Sequence, residues 1–217
     1  GNPQGAVADL AYLENLVALS RKYDFTLVVD ECYAEIYNGD PPPGTLQVCA
    51  AQNDDMSGIL VFHSLSKRSN VAGLRSGFVA GDGEMLMLFR RLSEYGGSPS
   101  PLPVYAAATA LWQDEDHVIA NRALYGEKFE PAERILSNRF GFYRPQGGFF
   151  LWLDVGDGEA ATKELWARAA IRVLPGSYLS ADDGIHDNPG RRYIRVAMVH
   201  DKAVMEDALA RISDTLS

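Results

Sequence analysis

The chain has 217 residues, 47% of them hydrophobic, and a formal net charge of -9 at pH 7. This composition predicts a soluble globular chain with apolar material for one large domain or two small ones, and its acidity excludes a phosphate-tracking surface, so nucleic acid is not an expected partner. No run approaches the roughly 20 apolar residues of a membrane span, and no basic-then-apolar leader is visible; the expectation is therefore no membrane partner and a cytoplasmic location.

Residues 7–23 carry Leu10, Leu13, Val17 and Leu19 at helical spacing. Residues 25–30 follow as an apolar run ending in Asp30, the pattern of a strand covered on both faces in a parallel sheet. Residues 58–63 repeat it, and 75–81 form a shorter third candidate, so an α/β layer is expected. Residues 85–95 read as a helix, 96–103 as a breaker-rich loop, and 104–112 and 115–137 as two further helices. The texture then changes. Residues 142–155 hold a Pro145-Gln146-Gly147-Gly148 turn between aromatic-rich segments, 160–170 read as a helix, 171–174 and 193–197 as strands, and 203–216 as an amphipathic helix. The expected architecture is an α/β domain with a mainly parallel sheet and helices over residues 1–119, then a smaller α+β domain over 120–217.

Cys32 and Cys49 have neither a CxxC partner nor a His at ligand spacing, which argues against a disulfide framework or a metal site. Chemistry concentrates at the strand ends instead. Asp30 closes one apolar strand, with Tyr33 three residues on. The strand ending at His63 runs into Ser64-Leu65-Ser66-Lys67, and Arg75 adds a fixed positive charge nearby. Taken singly, each has an ordinary explanation as a cap, a surface acid or a solvated cation. Together they suit a phosphorylated pyridine aldehyde: an amine to form an imine, an acid for the ring nitrogen, and Ser and Arg for the phosphate.

In order along the chain, Asn2-Pro3-Gln4-Gly5, Asp30-Glu31-Cys32-Tyr33, Ser64-Leu65-Ser66-Lys67, Gly73-Leu74-Arg75-Ser76-Gly77 and Tyr193-Ile194-Arg195-Val196-Ala197 resemble the fold-type I aminotransferases of the class I/II branch. The resemblance implies pyridoxal 5'-phosphate as cofactor, amino acid and 2-oxo acid substrates, and a homodimer in the full-length protein. It implies that Asn2 and Tyr33 hydrogen-bond the cofactor's phenolic oxygen, Asp30 pairs with its ring nitrogen and Lys67 holds it as a Schiff base. It further implies that Ser64, Ser66 and Arg75 belong to the cofactor site, Ser64 and Arg75 on the phosphate, and that Arg195 receives the substrate α-carboxylate. Lys67, Asp30 and Tyr33 are the catalytic candidates. Leu174-Pro175-Gly176-Ser177, Asp187-Asn188-Pro189-Gly190, Asp114-Glu115-Asp116-His117 and Asn121-Arg122-Ala123-Leu124 are similar to the succinyldiaminopimelate branch of lysine biosynthesis.

Family members also carry a long segment ahead of Asn-Pro-x-Gly, holding the first half of the large domain. The chain is accordingly expected to represent a C-terminal part, to expose one edge of its first strand, and to lack useful turnover by itself. Two alternatives remain open: a non-catalytic binding or regulatory module of the same fold, and another fold-type I reaction such as β-elimination or decarboxylation. A serine hydrolase matching Ser-x-x-Lys is disfavoured, because the S-D-N and K-T-G elements are missing. Gly81-Asp82-Gly83 reads as a turn. His63, His117, His186 and His200 read as structural or surface residues, and Trp112, Trp152 and Trp166 as packing.

Overall fold

In the computed structural model, which describes residues 1–97, 99–181 and 187–217, the first helix starts where the sequence provides a cap. Asp9 Oδ1 accepts the Tyr12 N–H at 2.8 Å, and α1 (Leu10–Tyr23) then runs to Asp24, which closes it in the left-handed conformation. The cap satisfies a helix donor that has no partner of its own, and Arg21 and Lys22 complement the negative end of the dipole. Leu13 and Val17 are buried with Val48 and Cys49 of α2 (Thr45–Ala51) and with Ile59 and Val61 of β2 (Ile59–Ser64).

β1 (Leu27–Asp30) pairs parallel to β2, from Leu27 opposite Ile59 to Asp30 opposite Phe62. β3 (Gly77–Gly81) pairs antiparallel to β2 on its other side, Gly77 opposite Ser64. The expected parallel arrangement therefore holds for the first pair and reverses at the third strand. Only α3 (Leu65–Arg68) and a 3-10 turn (Ala72–Leu74) separate β2 from β3, a connection without the long crossover helix usual between parallel neighbours. The double coverage expected of the first strand is not seen among the described residues. β1 alternates half-buried and exposed, with Val28 59% exposed, and its only strand partner there is β2. Asp82 is the turn residue expected in its Gly-Asp-Gly setting: its carboxylate accepts the N–H groups of Glu84 and Met85, opening α4 (Gly83–Gly96), and that of Gly58. α5 (Leu102–Gln113) and the start of α6 (Asp116–Leu136) complete this unit, which spans Val7–Asn121.

The second compact unit joins Gly1–Ala6 to Arg122–Ser217. Its sheet places β6 (Tyr193–Ala197) between β4 (Phe150–Asp154) and the short β5 (Leu174–Pro175), antiparallel to both. β6 alternates, burying Ile194 and Val196 against Leu151, Leu153, Leu165 of α7 (Gly158–Ala169) and Leu209 of α8 (Lys202–Thr215), while Arg195 lies on the opposite face. Residues 142–146, which include the first aromatic-rich segment and the start of the turn, form no strand. That segment holds the amino-terminal stretch instead: Tyr143 Oη donates to the Gln4 carbonyl at 2.8 Å, and the Gly147 N–H donates to the Gly5 carbonyl at 2.9 Å. Gly5 is required there, because its φ is 70° and a Cβ would lie 2.4 Å from Pro145 Cβ. The reading of His186 lies outside the described residues.

A methyl group at Gly77 would sit 2.3 Å from the His63 carbonyl oxygen, backbone that cannot swing aside. Gly77→Ala is expected to cost about 1–3 kcal/mol and to lower the thermal unfolding midpoint by several degrees. An unchanged midpoint would show that β2 and β3 are not held at this spacing.

Candidate functional site

Strand direction assembles the first cluster. Parallel β1 and β2 end at the same edge of their sheet, and antiparallel β3 begins there, so Asp30, the turn after it, Ser64 with α3, and Arg75-Ser76 converge. The carboxyl edge is where open α/β sheets present ligand-binding groups.

Asp30 is exposed and accepts the Cys32 N–H on Oδ1 at 3.0 Å, which folds the chain back beside the strand end. The Cys32 thiol is pushed up to about 12, first by burial, then by its hydrogen bond to Asp30 and that residue's charge, with the Lys67 ammonium opposing. It is a neutral, inert thiol at pH 7. Lys67 is half-buried on α3, with Nζ 5.9 Å from the Tyr33 ring centroid, at the outer reach of a cation–π contact. Ser64 caps α3: its Oγ accepts the Ser66 N–H at 3.1 Å and lies 2.9 Å from Ser66 Oγ. The Ser76 carbonyl accepts from Ser64 Oγ at 3.4 Å and from the Leu65 N–H at 3.1 Å. Arg75 is exposed, donates to the Ala72 carbonyl at 3.0 Å, and is left-handed at φ 52°. A non-glycine residue held there carries backbone strain of about 1–2 kcal/mol.

Beside these residues, Glu31 joins two elements. Its Oε1 accepts the Thr45 N–H at the start of α2 at 2.8 Å, and its Oε2 lies 3.2 Å from His63 Nε2. Burial pushes the Glu31 carboxyl up, but the hydrogen bonds from His63 and Thr45 outweigh it and leave the group below its usual range. His63 also stacks on Phe78, with centroids 4.9 Å apart. The structural role read for it in sequence fits that setting.

The second cluster lies within the other unit. Arg195 Nη1 donates to Asn2 Oδ1 at 2.9 Å, and its guanidinium carbon sits 4.4 Å from the Phe150 ring centroid. Arg195 Nε is buried without an acceptor among the described residues. Behind Phe150 the stack continues through Phe149 and Tyr125 to Lys128, whose Nζ lies 4.8 Å from the Tyr125 ring and donates to the Met198 carbonyl at 3.2 Å. Burial lowers the Lys128 pKa, against the opposing charge of Asp201. Arg192, in contrast, is an exposed partner of Asp154, and Trp152 stacks on Tyr193.

Asp30, Tyr33, Ser64, Ser66, Lys67 and Arg75 thus belong to one unit, and Asn2 and Arg195 meet in the other. The donor set fits a phosphorylated pyridine aldehyde, and the orphaned Nε of Arg195 fits an anion at that guanidinium. Phe150 was missed in sequence. It is a diagonal neighbour of Arg195 across β4 and β6, a relation readable only once Trp152 is known to face Arg195.

The family model "Aminotransferase class I and II" matches residues 1–212. Among solved structures, an aminotransferase from Neisseria meningitidis is 46% identical with a TM-score of 0.92, over 100% of this chain and 56% of that one. A probable N-succinyldiaminopimelate aminotransferase from Thermus thermophilus is 26% identical with a TM-score of 0.86, over 99% and 56%. Among curated relatives, a 4-dedimethylamino-4-oxo-anhydrotetracycline transaminase of Streptomyces rimosus is 32% identical over 98% of this chain and 57% of its own length. The chain spans a little over half the length of these proteins.

Because the Glu31 carboxyl is depressed in the fold, it still holds its charge at a pH where the unfolded chain takes up a proton. Its contribution to stability is complete above the usual carboxylate range and fades as pH falls through its lowered value. Thermal midpoints measured from pH 7 downward should therefore fall less steeply for Glu31→Gln than for the wild type; parallel curves would remove this role.

Proposed function

The chain belongs to the class I and II aminotransferase family, and from that premise we propose that the protein bearing it transfers an amino group between an amino acid and a 2-oxo acid. Members of this family depend on pyridoxal 5'-phosphate. When bound, the cofactor supplies an aldehyde for covalent attachment and a conjugated ring able to accept electron density from the substrate's Cα. The observation that carries the proposal is the gathering of Lys67, Tyr33 and Asp30 at the carboxyl edge of β1 and β2.

In this reading Lys67 Nζ anchors the cofactor and moves the proton at the substrate Cα. The Asp30 carboxylate holds a proton on the ring nitrogen, an interaction that strengthens as charge develops. Tyr33 and Asn2 hydrogen-bond the phenolic oxygen. The Ser64 hydroxyl and the Arg75 guanidinium take the phosphate, and Ser66 belongs to the same cofactor site. Arg195, held over the Phe150 ring, grips the α-carboxylate through two parallel N–H donors. We read residues 1–119 as the cofactor-binding region and 120–217 as the smaller domain, a reading supported by the division near residue 121, although Gly1–Ala6 group with Arg122–Ser217.

As substrate we favour N-succinyl-diaminopimelate, in lysine biosynthesis. The motifs at residues 114–117, 121–124, 174–177 and 187–190 support this, as does the likeness to the Thermus thermophilus protein described as a probable aminotransferase for it. We place the enzyme in the cytoplasm, and no described helix is long and apolar enough to cross a membrane. Homodimerisation is supported by the large apolar side chains that α4 and α5 leave exposed, among them Leu88, Leu92 and Leu102.

In the natural polypeptide that carries this sequence, Lys67→Ala should abolish covalent cofactor retention, read by mass after borohydride reduction. Transamination should fall by at least the ~10²–10⁴-fold that proton transfer supplies. Retained turnover would reject the assignment. Asp30→Asn should leave cofactor binding largely intact and slow the proton shift in single-turnover experiments; unchanged rates would remove the role given to Asp30.

A further inference from the structure

The three residues after Lys67 are fastened one by one to the end of α5 and the start of α6. Arg68 is 4% exposed: its Nη1 donates to the Leu111 carbonyl at 2.7 Å, its Nη2 pairs with Glu115, and its guanidinium lies 5.0 Å from the Trp112 ring. Ser69 Oγ is 2.8 Å from His117 Nε2, and His117 Nδ1 is 2.9 Å from Asp114 Oδ2. Asn70 Nδ2 donates to Asn121 Oδ1 at 2.6 Å. All of these residues lie within the same unit.

A four-residue helix cannot hold its own shape, because one turn orders several residues for little hydrogen bonding in return. α3 is fixed at its start by the Ser64 cap and by the bond from Leu65 to Ser76. Its other end depends on this second set of contacts. We propose that residues 111–121 clamp α3, with His117 a positioning residue that acts through Ser69 to hold the Lys67 amine in place.

The proposal rests on Lys67 being the reactive amine. His117 reaches the end of α3 directly through Ser69, and its other partner, Asp114, also accepts from Arg68 Nη1 through its carbonyl at 3.5 Å. Asp114 fixes the imidazole on one side, leaving the other nitrogen for Ser69 whichever way that hydrogen bond runs. The ordering hydroxyl, imidazole, carboxylate also occurs in nucleophilic sites, so the experiment includes an arm for that role.

The test uses the natural full-length polypeptide, with and without pyridoxal phosphate. In His117→Ala, hydrogen exchange of the backbone amides in residues 65–70 should quicken about tenfold, while amides of β4 and β6 stay unchanged. Ser69→Ala, which removes a single oxygen, should give the same local effect, and the two substitutions together should do no more than either alone. In the transamination assay kcat should drop about tenfold with KM changed less than about twofold, and His117→Gln, which retains a hydrogen-bonding side chain, should restore most of the loss. Unchanged exchange over residues 65–70, quickening spread through the whole unit, or additive effects of the two substitutions would overturn the clamp. Covalent labelling of Ser69 by a fluorophosphonate would also overturn it, in favour of a nucleophile. If Lys67→Ala retained turnover, the proposed function would fail while the exchange result still reported on the clamp, so the two failures are distinguishable.

Discussion

The parallel pairing of β1 with β2 is the constraint on which the rest of the first cluster depends. With Leu27 opposite Ile59 and Asp30 opposite Phe62, both strands must finish at one edge, and the chain leaving β2 delivers Ser64, Ser66 and Lys67 beside Asp30. A slip of one residue would turn every side chain of β1 to the other face of the sheet. The hydrophobic set of α1, α2 and β2 resists that slip, because Leu27 and Val29 pack against it while Val28 does not. The core thereby fixes the chemistry through register, not through contact.

How far this was legible in sequence depends on the reach of each relation. The apolar runs before Asp30 and His63 are local signals, and they placed the acid, the hydroxyls and Lys67 at strand ends as the structure has them. Arg75 was legible as a charge near the same rim, but its left-handed backbone was not, since nothing short of the fold obliges an arginine to adopt it. Ser69 and His117 stand 48 residues apart, so only tertiary structure joins them. His117 therefore read as a structural or surface histidine in sequence, without a named partner. The third strand's direction escaped for the same reason: hydrophobic periodicity reports that a strand exists, but not which way it runs.

Charge management follows a common pattern in both units. Arg68, deeply buried, meets carbonyl oxygens, a carboxylate and an indole face; Arg195 meets an amide oxygen and a phenyl face. Aromatic faces and carbonyls orient a guanidinium without neutralising it, so Arg195 keeps its positive charge available to an incoming anion.

Lys128 carries a different consequence. Its ammonium rests on the Met198 carbonyl and the Tyr125 ring, two uncharged acceptors, and burial makes its proton easier to lose than in the unfolded chain. Between the lowered and the ordinary lysine values, the unfolded chain binds more protons than the native one, so alkalinisation favours the native state at this position. The stack that ends at Arg195 is thus backed by a cation whose discharge in base would relieve a desolvation cost.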